Sequence, residues 1–242
     1  MKGQATPVLL DSYSAERAPI AKQIVTRANQ SIGEFGPICA ALGMDGGMDH
    51  AKSKANMDAR CDPTPAAAAQ RDALHQAMAF KKYEFDCHGV EMNQRYTPGA
   101  VVTDGQAQPA PNADMELHYQ PIARPGARLP HVWVFDAAGK RHATLDMCGR
   151  GQFTLLTGIG GGAWVAAAKA QASKRGLAIR AHVIGPRQGM SDHRGDWARA
   201  SEIADSGCLL VRPDQHVAWR SPALTADPAA DIARVLTTIL GK

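Results

Sequence analysis

The run Phe153-Thr154-Leu155-Leu156-Thr157-Gly158-Ile159-Gly160-Gly161-Gly162-Ala163-Trp164 limits most strongly what this chain can become. An apolar strand enters a glycine-rich turn, and the turn opens a helix. The helix is expected from Ala163 to Lys174, with Gly176 as its stop. A strand from Leu177 to Ile184 follows, and a strand–helix–strand unit of this kind sets its two strands parallel. A short helix over Trp197 to Ile203 comes next. Strands Cys208 to Val211 and Val217 to Arg220 flank the turn Pro213-Asp214-Gln215-His216. The last helix opens at Asp227-Pro228 and turns Ile232, Val235, Leu236 and Ile239 toward the sheet. Ahead of all this, His131 to Phe135 and Arg141 to Leu145 read as two strands joined by a turn over Asp136 to Gly139.

That order of elements suits a thioredoxin-like domain, so the fold class is α/β: a helical N-terminal segment plus a C-terminal thioredoxin-like domain without C-x-x-C. Thiol redox chemistry needs a cysteine at the N-terminus of the first domain helix, where the helix dipole stabilises thiolate. Glycines stand there instead. The five cysteines, Cys39, Cys61, Cys87, Cys148 and Cys208, are odd in number and far apart. They read as small buried or incidental residues of a protein kept in a reducing cytoplasm.

The first hundred residues read as mostly helical. Thr6-Pro7 supplies an N-cap and a first-turn proline. Ile20, Ile24, Ala28 and Ile32 then recur every four residues as one buried face, with Pro19 expected to kink or restart the helix. Gly33, Gly36 and Pro37 should close it. Gly43 to Asp62 reads as a mobile loop, and Thr64-Pro65 caps an alanine-rich helix ending near Phe80, with Leu74 and Met78 on one face. Tyr83, Phe85 and Cys87 alternate with Glu84, Asp86 and His88, which predicts a half-buried strand ending at Gly89. Six of the fifteen prolines fall between Thr97 and Pro130, the pattern of an interdomain connection. The expected organisation is therefore a helical part over 1–100, a proline-rich connection over 101–130 and the thioredoxin-like domain over 131–242.

Composition excludes several classes. The net charge of +4 is scattered, with no basic run longer than Lys81-Lys82, so nucleic acid is not an expected partner. The longest low-polarity stretch, Leu155 to Ala168, contains four glycines and is too short to span a bilayer. The N-terminus lacks the layout of a secretion signal.

Each candidate site has a plainer structural reading. Gly158 to Ala163 fits G-x-G-x-x-A between a strand and a helix, the setting of a dinucleotide turn. The next strand ends in Gly185-Pro186-Arg187, without the acidic residue that would hold a ribose, which favours a structural turn. In Gly195-Asp196, Asp196 is expected as a helix N-cap rather than a flavin ligand. In Asp86-Cys87-His88, a strand would point Cys87 away from its neighbours, and Asp49-His50 and Asp192-His193 lack further ligands, so no metal is expected. G-x-S-x-G and H-E-x-x-H are both absent.

Two further segments are distinctive: Pro125-Gly126-Ala127-Arg128-Leu129-Pro130-His131, and Leu210 to Arg220 with its core Arg212-Pro213-Asp214-Gln215-His216. Structurally they read as prolines setting the entry to a strand and as a hairpin with a charged rim. Together with Leu9 to Pro19, Phe85 to Tyr96 and Phe153 to Gly158, they resemble the C-terminal part of flavin-dependent phenol monooxygenases, and among these the chlorophenol hydroxylases. The resemblance implies an FAD- and NAD(P)H-dependent enzyme that inserts one oxygen atom into a phenol ring, works in the cytoplasm and forms a homo-oligomer. In that family the terminal thioredoxin-like domain lacks active cysteines, and the flavin motifs lie ahead of the region that starts here with Met1-Lys2-Gly3. The chain is thus expected to bind no cofactor by itself, and no residue in it is assigned as catalytic, cofactor-binding or metal-ligating. The resemblance leaves open a non-catalytic, free-standing oligomerisation module that works with a separate flavin-binding partner. A third reading is a divergent thiol oxidoreductase.

Overall fold

The computed structural model describes residues 3–44, 46–47 and 49–241. Met1 and Lys2, which belong to the reading of the chain start, lie outside them, as do Asp45 and Met48 of the expected loop. The chain divides into two compact units. The first joins Met1–Ile20, Met92–Asn112 and Gln120–Lys242, and the second joins Ala21–Glu91 and Ala113–Tyr119.

The first unit contains the sheets. Strands β1 (Trp133–Asp136) and β2 (Arg141–Ala143) pair antiparallel, and Thr144 ends the second one early by starting the helical turn α7 (Thr144–Met147). A short strand that the sequence did not suggest, β5 (Met190–Ser191), completes this three-stranded sheet. The main sheet has the order β4-β3-β6-β7, built from β3 (Phe153–Thr157), β4 (Ile179–Val183), β6 (Cys208–Val211) and β7 (Val217–Ser221). β3 and β4 are parallel, while β6 runs antiparallel to β3 and to β7. This is the expected thioredoxin-like arrangement, with α8 (Gly162–Arg175) as the crossover helix. Gly176 closes α8 in the left-handed region at φ 62°.

β3 and β6 are buried throughout, so their alternate residues serve two cores. Leu155 and Leu210 join Trp164 and the apolar face of α10 (Pro228–Leu240), made by Ile232, Val235, Leu236 and Ile239. Leu156 and Leu209 face the other way and join Leu129, Val134, Val217 and Trp197. Asp227 caps α10, its side chain accepting the Ala230 N–H at 2.9 Å. The proline-rich stretch is irregular yet packed. The Val102 N–H donates to Ala218 O at 2.8 Å, the Leu129 N–H donates to Gln215 O at 2.9 Å, and Ala123 and Leu129 are buried.

The helical region departs from expectation at several points. Helix α1 (Val8–Gly33) runs unbroken through Pro19. Of the expected face only Ile20 is buried; Ile24 and Ala28 are exposed, and Ile32 is 73% exposed. Gly36 and Pro37 do not close a helix but lie in the first turn of α2 (Phe35–Ala41), where a missing N–H costs nothing. The expected loop holds α3 (His50–Ala59), because Asp49 accepts the Lys52 N–H at 3.2 Å and starts a helix. Thr64-Pro65 caps α4 (Pro65–Phe80) as expected, Thr64 accepting the Ala67 N–H at 3.1 Å. There the residues buried are Ala67 and Ala77, while Met78 is exposed. The strand predicted from Tyr83 to Gly89 is instead two helical turns, α5 (Lys82–Phe85) and α6 (His88–Met92). Six alternating residues are too few to separate period two from a helical turn, and exposed Phe85 has no apolar face to join.

The second unit buries a small cluster of paired charges. Arg27 pairs with Glu34 and, at 3.4 Å, with Glu116. Buried Lys81 donates to Ser31 O at 2.7 Å, pairs with Glu84 and lies over the Phe35 ring at 3.7 Å.

Candidate functional site

The first unit concentrates its charged chemistry on two arginines of the hairpin β6–β7. Arg212 lies just beyond β6 and forks onto Glu16 of α1, with Nη1 to Oε1 at 2.6 Å and Nη2 to Oε2 at 2.9 Å. Planar two-point pairing of this kind is both strong and orienting. The other edge of the guanidinium meets Asp214, Nε to Oδ1 at 3.1 Å and Nη2 to Oδ2 at 2.9 Å. Glu16 is buried and also accepts the Ala100 N–H at 2.7 Å. Burial by itself would raise the Asp214 carboxyl, but the His216 hydrogen bond and the Arg212 charge outweigh it and hold the group at about 2. The His216 ring stacks on Tyr96 at 4.2 Å, and the Tyr96 hydroxyl accepts from Arg17 at 2.9 Å. Two segments that carry the resemblance, Leu9 to Pro19 and Leu210 to Arg220, therefore meet in one polar cluster.

Arg220, in β7, is only 2% exposed. Its Nε donates to Asp104 at 2.7 Å and its Nη2 to Gln106 at 2.6 Å. Nη1 reaches both the side chain and the carbonyl of Glu202 at 3.2 Å. The arginine pins the proline-rich stretch to the sheet, a role that sequence could have suggested only through the acidic residue in Thr103-Asp104-Gly105. Neither arginine has a donor edge left open toward a substrate, so both act as structural clamps.

Beside Arg212 runs a groove of about 780 Å³. Leu10, Tyr13, Leu177 and Ile239 line it together with Glu16, Arg212 and Asp214. Sequence analysis did not identify this groove, because its walls come from residues far apart in the chain.

The glycine turn is structural. A side chain at Gly158 would come within 2.5 Å of the Asp205 carbonyl, and one at Gly161 would overlap Thr157 Oγ1 at 1.7 Å. The Gly160 N–H donates to Asp205 O at 3.0 Å and the Gly161 N–H to Gly158 O at 3.1 Å, so these amides are not free to cradle a pyrophosphate. The residues here do not fit a dinucleotide. Burial pushes the Cys148 thiol up to about 12 and raises Cys208 as well, the reverse of what thiol redox chemistry requires. Asp196 is not the N-cap of α9 (Asp196–Ala200); Gly195 occupies that position. Asp192 does the capping from four residues back, accepting the Asp196 and Ala198 N–H groups at 3.0 Å each. His193 stacks on Phe135 at 4.5 Å, Asp49 caps α3, and Cys87 donates to the Tyr83 carbonyl. Among the described residues no group of three or more His, Cys, Asp or Glu could hold a metal ion. No helix among them is long and apolar enough to cross a membrane.

Fold and site together define a thioredoxin-like domain without redox cysteines, tied to a preceding helix by a buried arginine–glutamate fork. The family model described as "Aromatic-ring hydroxylase, C-terminal" matches residues 122–242, and the chain belongs to that family. It is 49% identical over its whole length to 2,4-dichlorophenol 6-monooxygenase of Cupriavidus pinatubonensis (strain JMP 134 / LMG 1197), of which it covers 40%. It is 45% identical to phenol 2-monooxygenase of Pseudomonas sp. (strain EST1001), over 98% of this chain and 39% of that one. Among solved structures, the flavin-dependent monooxygenase PieE in complex with FAD and substrate superposes with a TM-score of 0.90 at 40% identity. That likeness covers 99% of this chain and 41% of PieE. Aklavinone-11 hydroxylase with FAD and aklavinone gives a TM-score of 0.66 at 28% identity, over 100% of this chain and 37% of that one. The chain thus spans about two fifths of the length of its relatives and corresponds to their C-terminal part.

Proposed function

We propose that this chain is the C-terminal part of an FAD- and NAD(P)H-dependent monooxygenase that hydroxylates a phenol or chlorophenol, and that the flavin is held by protein outside these residues. One observation carries the reading: 49% identity to a dichlorophenol monooxygenase, sustained from end to end of the chain. Each relative carries this region inside one longer polypeptide, which favours a part of an enzyme over a separate module. In such an enzyme the reduced flavin activates oxygen for transfer to the ring. This chain supplies the frame. Its clamps at Arg212 and Arg220 fix α1 and the proline-rich stretch on the terminal sheet, and its two cores make that sheet rigid. The same reading places the enzyme in the cytoplasm as a homo-oligomer.

A chimera tests it. The C-terminal two fifths of the Cupriavidus enzyme is replaced by this chain, and the product is purified. The expected protein is yellow and oxidises NADPH in the presence of 2,4-dichlorophenol with formation of a chlorocatechol, whereas the 242-residue chain alone does neither. A chimera that binds flavin yet leaves every phenol untouched would contradict the substrate assignment.

A further inference from the structure

The turn that joins α3 to α4 in the second unit carries positive charge with no counterion in the protein. Arg71 of α4 sends Nη1 back to the turn, donating to the carbonyls of Arg60 at 2.5 Å and Asp62 at 3.2 Å. Its Nη2 and Nε have no partner among the described residues, and neither has the Arg60 guanidinium or the His75 ring. Arg71, Leu74 and His75 are spaced three and four positions apart and so share one face of α4. With Arg60 and Cys61 of the turn they line a hollow of about 500 Å³. Asp62 is the one carboxylate in that lining and pairs with neither arginine, so two guanidiniums face the hollow against a single negative charge.

We infer that this hollow binds a small organic anion, with a carboxylate or phosphate head among Arg60, Arg71 and His75 and an apolar body against Leu74. The inference stands on residues 60–75 alone and does not depend on the function proposed above. A guanidinium offers such a head planar, two-point pairing. Two carbonyls already fix the Arg71 plane, so little side-chain freedom is lost when its open edge takes up an oxyanion. The volume lies in the range of small-molecule sites, and Leu74 supplies apolar contact that a bare inorganic ion would leave unused. The exposed thiol of Cys61 stands in the same lining and reports whether the hollow is filled.

The purified 242-residue chain is alkylated with neutral iodoacetamide, and the rate at Cys61 is followed by peptide mass spectrometry. Cys39, exposed on α2 and outside the hollow, serves as the reference. Benzoate, phenyl phosphate, inorganic phosphate or chloride is present at matched ionic strength. The expected result is saturable slowing at Cys61 by benzoate or phenyl phosphate, about tenfold at ten times the dissociation constant, with Cys39 unchanged. These two share one body, so the stronger protector identifies the head. Arg60→Gln, which removes no bond within the protein, should abolish most of the protection while the circular dichroism stays the same. Slowing by chloride to the same extent, equal slowing at Cys39, or protection retained in full by Arg60→Gln and by Arg71→Gln would overturn the inference. Inorganic phosphate protecting as well as phenyl phosphate would overturn the organic body. If Cys61 does not label even in chloride, saturation-transfer NMR on benzoate replaces it: a signal lost in Arg60→Gln supports the site, and no signal, or one that persists, overturns it. No flavin enters these measurements, so either result leaves the proposed function standing.

Discussion

The two units solve the same problem with opposite materials. The first buries Leu155, Leu156, Leu209, Leu210, Trp164, Ile232 and Leu236 on both faces of one sheet and uses buried charge only at its clamps. In the second, the described buried apolar side chains are Ala67, Ala77 and Val90, while Glu34 and Lys81 are buried and ion-paired and buried Ser31 accepts from Arg27 and Lys81. Its larger apolar residues, Ile24, Val25, Ile32, Phe35, Met78, Phe80 and Phe85, are exposed. Hydrophobic burial supplies most folding free energy, and buried ion pairs roughly offset their own desolvation. The difference teaches that the first unit carries its stability within itself, whereas the second presents apolar surface suited to a covering partner.

The largest expected effect is at the clamp that the sequence hid. Arg220→Ala leaves Asp104 and Glu202 facing an uncompensated site, and loss of one partner from a buried pair costs about 3–5 kcal/mol. Urea unfolding followed by tryptophan fluorescence should show that loss; a change under about 1 kcal/mol, the scale of an exposed pair, would return Arg220 to the surface. The contrast between the units sharpens with a matched pair of truncations. Leu236→Ala should cost about 2–5 kcal/mol through lost packing. Ile32→Ala, at an exposed position, should stay within about 0.5 kcal/mol in the isolated chain. Equal losses from the two would erase the distinction drawn here.

Legibility in the sequence followed the same division. The βαβ unit, the hairpin and the terminal helix were readable because their side chains answer to a local period and a local cap: Asp227-Pro228 starts α10, and its apolar stripe is the one that is buried. In α1 the same four-residue spacing misled. The buried side is set by Glu16, Ile20 and Ser31 rather than by Ile24, Ala28 and Ile32. A periodic pattern shows which residues share a face, not whether that face has a partner. The short α5 and α6 and the Asp49-capped α3 were lost for lack of length. The clamps were missed for a different reason. Arg212 finds Glu16 across 196 positions and Arg220 finds Asp104 across 116, and no local pattern encodes such a pairing. Only the resemblance pointed to those segments, without saying what they do.

The smallest effect lies at low pH. Because the Asp214 carboxyl is held below its ordinary value, its contribution to stability is complete above the unfolded value of about 3.9 and is lost as pH falls through about 2. Asp214 is partly exposed, so solvent screening keeps the effect small. Between pH 5 and pH 2.5 the urea midpoint of the native chain should fall slightly more than that of Asp214→Asn. Identical falls would mean that the Arg212–His216 environment does not favour the carboxylate.

The most direct test of the whole account is a titration of the purified 242-residue chain with FAD, followed by flavin fluorescence and by absorbance after gel filtration. The Gly160 and Gly161 amides, already bonded within the protein, and the tight packing of Gly158 and Gly161 predict no saturable binding and a colourless chain. One equivalent of FAD retained per chain would contradict it.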